Sequence, residues 1–210
     1  MMCKDFKGAV FLDRDGTISE EVGYISNLDQ FQLMPKSAEA VKLMNERGLK
    51  VIVVTNQAGV AKGYFPEEMV SRVHKKMEKI LSDQGAFLDG IYYCPHHPEG
   101  IVETYRKKCE CRKPASGLLR QASEEHGIDI SSSYMVGDKM ADVECAHQIG
   151  VKGVLVLTGY GKDELKKIEG ARIRRPEYVA DDIFNAVKWI VNDLYVERNG
   201  DTNRKIECHR

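Results

Sequence analysis

No apolar run in this chain of 210 residues approaches the roughly 18 residues that a membrane-spanning helix needs, so no such helix is expected. A charge surplus is missing too: 31 Lys and Arg stand against 32 Asp and Glu, a formal net charge of −1. That balance removes the broad basic footprint of a protein that binds nucleic acid or an acidic membrane surface, and neither partner is expected. There is no internal repeat, no low-complexity linker and no break in composition to mark a second domain. Met1 to Asp5 lack the apolar stretch of a secretory leader, and the chain reads as cytoplasmic. What remains is 42% hydrophobic and 30% charged, an ordinary globular composition. A chain this long buries roughly 70% of its unfolded surface and folds without staples.

Short β-rich apolar runs alternate with helical patterns. Ala9 to Leu12, Lys50 to Val54, Phe87 to Tyr93, Ser133 to Val136 and Gly153 to Leu157 read as strands. Helices are predicted at 37 to 47, 66 to 84, 116 to 126, 140 to 149 and 183 to 195. Ser37 suits an N-cap, Pro66 suits a first turn, and Gly48, Gly127 and Gly150 follow three of the periodic runs as C-terminal glycines. Strand–helix–strand repetition means right-handed parallel crossovers, hence an α/β fold with a doubly wound parallel sheet. A single domain over 1–196 is expected, with a polar, mobile tail over 197–210.

The first strand runs into Asp13-Arg14-Asp15-Gly16-Thr17. In a parallel sheet the ligand crevice lies beyond the carboxyl ends of the strands, so both acids arrive where a substrate would sit. Acids two residues apart on an extended segment share a side, and such a pair divides its labour between nucleophile and general acid. The second strand delivers Thr55, Asn56 and Gln57, neutral hydrogen-bonding groups that suit phosphate oxygens. After a long connection comes Arg112-Lys113-Pro114, where Lys113 would neutralise a transferring phosphoryl group. The fourth strand ends in Gly137-Asp138-Lys139-Met140-Ala141-Asp142, and Asp138 with Asp13 makes the sparse carboxylate set that suits Mg²⁺.

The irregular stretch 94–114 carries two close pairs of soft ligands, Cys94-Pro95-His96-His97 and Cys109-Glu110-Cys111. Of six cysteines (3, 94, 109, 111, 145, 208), three fall in that interval. In a reducing compartment paired cysteines point to a closed structural Zn²⁺ site rather than to disulfides, with His96 and His97 competing as the fourth ligand. His74, His126, His147 and His209 lie on helical patterns or in the tail and read as structural or solvated. Cys145 reads as core, whereas Cys3 and Cys208 are terminal and carry no signal.

The four strand-end motifs, in this order from Asp13 to Asp142, resemble the haloacid dehalogenase (HAD) superfamily of phosphohydrolases. The resemblance implies a HAD-like, Rossmann-type sheet and a phosphatase in which Asp13 attacks phosphorus and Asp15 serves as acid and then base. Thr55 and Lys113 would hold the phosphoryl group, and Asp13, the Asp15 carbonyl and Asp138 would hold Mg²⁺. The segments Thr17 to Val54 and Tyr93 to Lys113 are too short for a folded cap domain, so loops must shape the mouth.

Gly23-Tyr24, the run from Gly90 to Pro98, Cys111 to Pro114 and Tyr134 to Lys139 narrow the resemblance to the heptose bisphosphate phosphatases within that superfamily. Histidinol-phosphate phosphatases share the motifs and a zinc site, but their ligand pairs generally lie closer together. The narrower resemblance implies a small sugar bisphosphate as substrate and a monomer. It selects His96 as zinc ligand with Cys94, Cys109 and Cys111. It also brings Glu21, Val22, Gly23, Tyr24, Thr55, Asn56, Gln57, Arg112, Lys113 and Lys139 to the substrate. One departure is Ala58, where relatives commonly carry Ser. Another phosphorylated metabolite as substrate, or a zinc-bearing module without enzymatic activity, are the rival readings, and acids at three strand ends argue against the second.

Overall fold

The structure is a computed structural model that describes the backbone of residues 7–207 and the side chains of residues 7–196. Cys3, Cys208 and His209 lie outside the described residues. Six strands, β1 (Ala9–Leu12), β2 (Lys50–Asn56), β3 (Gly90–Cys94), β4 (Tyr134–Gly137), β5 (Lys152–Val156) and β6 (Tyr178–Ala180), form one sheet in the order β3-β2-β1-β4-β5-β6. Every pairing is parallel. The chain winds from β1 outward to β3, then returns to β4 on the other side of β1. The switch point therefore lies between β1 and β4, which is where an open parallel sheet builds its ligand crevice.

Both faces of the sheet are covered, and the strands show it in their sequence. Val10 and Leu12 join Val51, Val53, Val136 and Val154 in one core, whereas Ala9 and Phe11 join Ile52, Val54 and Met135 in another. The first core is closed by α1 (Ser37–Glu46), α2 (Glu67–Asp83) and α6 (Ile183–Glu207), the second by α3 (Gly117–His126) and α4 (Met140–His147). A short α5 (Gly161–Ile168) packs Leu165 and Ile168 beside Met140, Val143 and Leu155. α2 illustrates the local logic: Val70, Val73, His74, Met77 and Leu81 recur at helical spacing and form its buried stripe. Truncating Met77, which is fully buried, to alanine would cost about 2–5 kcal/mol.

Several boundaries differ from the sequence reading. Ser37 does not cap α1; Lys36, in the left-handed region at φ 64°, takes that position, and the buried Ser37 hydroxyl has no partner. Pro66 stands just before α2 rather than in its first turn, and β3 begins at Gly90 rather than Phe87. α5 and β6 have no counterpart in the expected elements. α6 continues to Glu207, so the backbone of 197–207 is helical where the sequence reading ends the last helix at 195. Helix propagation costs far less than nucleation, so the apolar turn 183–195 that docks on the sheet can be extended by residues with no apolar stripe of their own. Residues 208–210 of the expected tail lie outside those described. No helix among the described residues is long and apolar enough to cross a membrane.

Candidate active site

The strand ends at the switch point bring the predicted acids together. Asp13 follows β1 directly, and its backbone N–H donates to the Val136 carbonyl at 2.9 Å, fixing the loop to the neighbouring strand β4. The Arg14 carbonyl accepts from the N–H groups of Thr17, Ile18 and Ser19, which closes the loop into a tight turn. Gly16 makes that turn possible twice over. Its φ is +85°, and a Cβ there would lie 2.2 Å from Asp138 Oδ2.

Lys113 comes to the same point from the far end of the long connection. Its ammonium is 2.7 Å from Asp13 Oδ1, 2.6 Å from Asp142 Oδ1 and 2.7 Å from the Val54 carbonyl, with all three side chains buried. Burial works against that charge, but the two carboxylates outweigh it and hold Lys113 above its ordinary range. Asn56 positions the lysine: its amide donates to the Lys113 carbonyl and accepts from the Lys113 N–H, each at 3.0 Å. That amide, assigned to substrate in the sequence reading, bonds the chain at both ends, and Asn56 also lines a cavity with Lys113.

Asp138 is completely buried. Its Oδ2 accepts from the Tyr160 N–H at 2.8 Å, and its Oδ1 has no hydrogen-bond partner, the Lys139 ammonium standing 3.9 Å away. Burial first, and the Asp13 charge second, push its carboxyl up to about 7. A buried carboxylate oxygen without a donor is the kind of orphan that a cation resolves. Asp142 differs, because Lys113 takes one of its oxygens and the Lys139 N–H the other at 3.1 Å. Carboxylate oxygens of Asp13, Asp138 and Asp142 lie within 4.8 Å of one another, which fits a single hard cation. The Asp15 carboxylate is not part of that group.

Asp15 points elsewhere. Gln57 Nε2 donates to Asp15 Oδ2 and to Thr55 Oγ1, both at 2.9 Å, so one amide ties the acid to the hydroxyl. Both oxygens of Asp15 also receive the guanidinium of Arg14, at 2.9 and 2.8 Å. Arg14 is buried, an arrangement that the sequence did not announce.

Asp13, Asp15, Thr55, Asn56, Gln57 and Lys113 line a cavity of about 310 Å³ together with Glu21, Gly23, Tyr24, Arg112, Lys139 and Tyr160. Val22 does not line it; its side chain is exposed on the rim. Lys139 lies 3.3 Å from Glu21 Oε2 and 4.5 Å from the centre of the Tyr160 ring. Glu21 Oε1 accepts the Gly23 N–H at 2.7 Å, which holds the carboxylate toward the mouth. Tyr24 accepts from the Lys62 ammonium at 2.9 Å and meets Tyr64 edge-on at 4.5 Å. Tyr160 was missed by sequence reading, although Gly159-Tyr160-Gly161 follows a fifth strand just as the other motifs follow theirs.

Beside the mouth, Cys94, His96, Cys109 and Cys111 converge. Their sulfurs lie 3.1, 3.2 and 3.5 Å apart, and His96 Nδ1 is 3.2 Å from Cys111 Sγ and 3.7 Å from Cys94 Sγ. Bond lengths of about 2.3 Å to sulfur and 2.0 Å to nitrogen give tetrahedral edges of roughly 3.5–3.8 Å, so the four atoms would take one soft cation once the sulfurs spread by about 0.3–0.7 Å. The His97 ring instead accepts the Glu99 N–H at 3.1 Å. Arg112 follows Cys111 directly and donates to the His96 carbonyl at 3.5 Å, which couples the cysteine loop to the cavity wall. Cys145 is buried and donates to the Ala115 carbonyl at 3.3 Å, as a core thiol does.

A family model described as HAD-hyrolase-like matches residues 110–186. The D-glycero-beta-D-manno-heptose-1,7-bisphosphate 7-phosphatase of Haemophilus ducreyi is 42% identical over 186 residues, which cover 88% of this chain and 98% of that one. The D-glycero-D-manno-heptose-1,7-bisphosphate 7-phosphatase of Thermosynechococcus vestitus is 40% identical over 192 residues, 89% of this chain and 96% of that one. Among solved structures, the D,D-heptose 1.7-bisphosphate phosphatase from B. bronchiseptica, complexed with magnesium and phosphate, aligns with a TM-score of 0.79. That alignment has 27% identity and covers 89% of this chain and 99% of that one.

Proposed function

The chain belongs to the D-glycero-D-manno-heptose-1,7-bisphosphate 7-phosphatase family of HAD-like hydrolases, and from that premise we propose that it removes the 7-phosphate of this heptose bisphosphate through an aspartyl-phosphate on Asp13. One observation carries the reading. The cavity that holds the Asp13 carboxylate and the Lys113 ammonium is lined by two further cations, Arg112 and Lys139, the second 3.9 Å from Asp138 Oδ1, so it offers more positive charge than a single phosphoryl group needs.

An oxygen of Asp13 attacks phosphorus while the bond to the C7 oxygen breaks, and Asp15 gives that oxygen its proton. Water then attacks the phosphoryl group, Asp15 takes the proton back, and phosphate leaves with Asp13 restored. Thr55 and Lys113 hold the phosphoryl oxygens. Phosphoryl transfer demands positioning and neutralisation above all, and the reciprocal Asn56–Lys113 hydrogen bonds supply the first. Mg²⁺, held by Asp13, the Asp15 carbonyl and Asp138, supplies positive charge to the phosphoryl oxygens when bound. The orphan Asp138 oxygen supports that assignment over Asp142, whose oxygens are both taken.

At the mouth, Arg112 and Lys139 take the second phosphate, and Glu21 with Tyr24 meets the sugar hydroxyls. Cys94, His96, Cys109 and Cys111 would hold Zn²⁺, which would staple the loop 94–114 that carries Arg112 and Lys113. Residues 1–196 act as one domain, and the protein works as a cytoplasmic monomer. The reading is tested by comparing kcat/KM for the 1,7-bisphosphate, each heptose monophosphate and histidinol phosphate. The bisphosphate should lead; faster turnover of histidinol phosphate would replace the assigned substrate.

A further inference from the structure

Arg14 stands between the two acids of the first motif, yet its side chain leaves the cavity and is only 1% exposed. Its guanidinium forks the Asp15 carboxylate, Nε to Oδ1 at 2.9 Å and Nη2 to Oδ2 at 2.8 Å. Its third nitrogen, Nη1, lies 3.3 Å from Nε2 of His74, on the buried stripe of α2. A guanidinium has donors only, so His74 Nε2 must accept, and the imidazole proton sits on Nδ1. Burial first and the Arg14 charge second lower the His74 pKa to about 3, so the ring is neutral and able to accept at every working pH. The ring is itself fixed, edge-on to Tyr93 at 5.6 Å.

We propose that Arg14 and His74 are positioning residues that hold the Asp15 carboxylate in the orientation its proton transfers require. The inference rests on the role assigned to Asp15 above. A buried ion pair is a poor source of net stability, and an apolar pair of similar volume often does as well. The turn does not need the guanidinium either, because the Arg14 carbonyl, not its side chain, gathers the N–H groups of Thr17, Ile18 and Ser19. What the fork uniquely supplies is a fixed carboxylate plane. With Gln57 on Oδ2 and the Ser19 hydroxyl 3.4 Å from Oδ1, both oxygens are held, and where Asp15 carries its proton the neutral Gln57 or Ser19 donor gives way while the Arg14 fork keeps the plane. His74 extends the support by fixing the far end of the guanidinium, out of reach of any substrate.

The test compares leaving groups. Heptose bisphosphate needs a proton on its departing alkoxide, whereas dinitrophenyl phosphate releases a stable phenolate without one. In rapid-quench measurements of enzyme phosphorylation, Arg14→Lys and His74→Leu should slow the reaction of the heptose bisphosphate by about 10- to 100-fold, a fraction of a general-acid effect. The reaction of dinitrophenyl phosphate should slow by less than about threefold, with KM nearly unchanged. His74→Gln, which keeps an acceptor, should recover most of the loss. Equal slowing on both substrates, or a His74→Gln variant no better than His74→Leu, would overturn the proposal. Should Arg14→Lys fail to fold, the two His74 variants decide alone. Asp15→Asn run in parallel separates the two readings: if it shows no leaving-group selectivity, the role of Asp15 fails; if it does and the His74 variants do not, only the positioning role fails.

Discussion

Replacing Asp138 by asparagine should make the protein more stable when Mg²⁺ is absent, while abolishing activity. The carboxyl is fully buried, one of its oxygens has no hydrogen bond and only the Lys139 ammonium 3.9 Å away, and its pKa still rises from 3.8 to about 7. For an acid, a folded pKa above the unfolded one means that the native state prefers the proton. The penalty of the ionised form is therefore full above pH 7, shrinks as pH falls from 7 toward 3.8, and is absent below. A rise of about three pKa units corresponds to roughly 4 kcal/mol, at 1.36 kcal/mol per unit, as an upper bound. Asparagine removes the charge but brings an N–H₂ that must find acceptors, so a net gain of about 1–3 kcal/mol is expected. At roughly 2–4 °C per kcal/mol for a chain of this size, Tm should rise by about 2–12 °C at pH 8. The assay is thermal unfolding of wild type and Asp138→Asn in buffer stripped of Mg²⁺ but free of strong chelators, so that a metal on the cysteine loop is kept. The gap should narrow at pH 5, and adding Mg²⁺ should raise the wild-type Tm alone. A variant less stable than wild type at pH 8, or a gap independent of pH, would refute the view of Asp138 as a strained carboxylate awaiting a cation.

Lys113→Met should leave Asp13 and Asp142 buried and unpaired, at a cost of about 3–5 kcal/mol read from denaturant unfolding; a loss below 1 kcal/mol would mean that the buried ion pairs are relieved some other way. Elemental analysis should find Zn²⁺ in the wild type and not in Cys111→Ser, which should also have a lower Tm and a higher KM, because the same loop carries Arg112. Absence of zinc from wild-type protein purified without chelators would reject that site. Arg112→Ala should lower kcat/KM for the heptose bisphosphate far more than for p-nitrophenyl phosphate, which has no second phosphate to lose. An equal fall on both would place Arg112 on the transferring group instead.

The parts of the fold that were legible in sequence are those with strong periodicity. β1, β2 and β4 announce themselves as short apolar runs ending in chemistry, and Gly48, Gly127 and Gly150 adopt the positive φ expected of residues that follow helices. β6 is three residues long, too short for any alternation to show, and α5 is so charged that its two apolar contacts do not stand out. The acids and the lysine of the site were legible because each follows a strand, and parallel strands all end at one edge. Their partners were not. Sequence spacing cannot say that Asn56 faces the Lys113 backbone, that Asp142 and Lys113 pair across the switch point, or that Tyr160 closes over Asp138. Arg14 is the plainest case, since an arginine beside two acids is ordinarily solvated and only the packed structure reveals its burial against His74.

The enzyme's specificity lies in which phosphate leaves and from what. Incubating the purified enzyme and Mg²⁺ with D-glycero-D-manno-heptose 1,7-bisphosphate, and following both phosphorus signals by ³¹P NMR, measures this directly. Loss of the C7 signal, growth of inorganic phosphate and persistence of the anomeric phosphate at C1, with no turnover in Asp13→Asn, is the predicted result. Release of the C1 phosphate first, or turnover that survives Asp13→Asn, would contradict it.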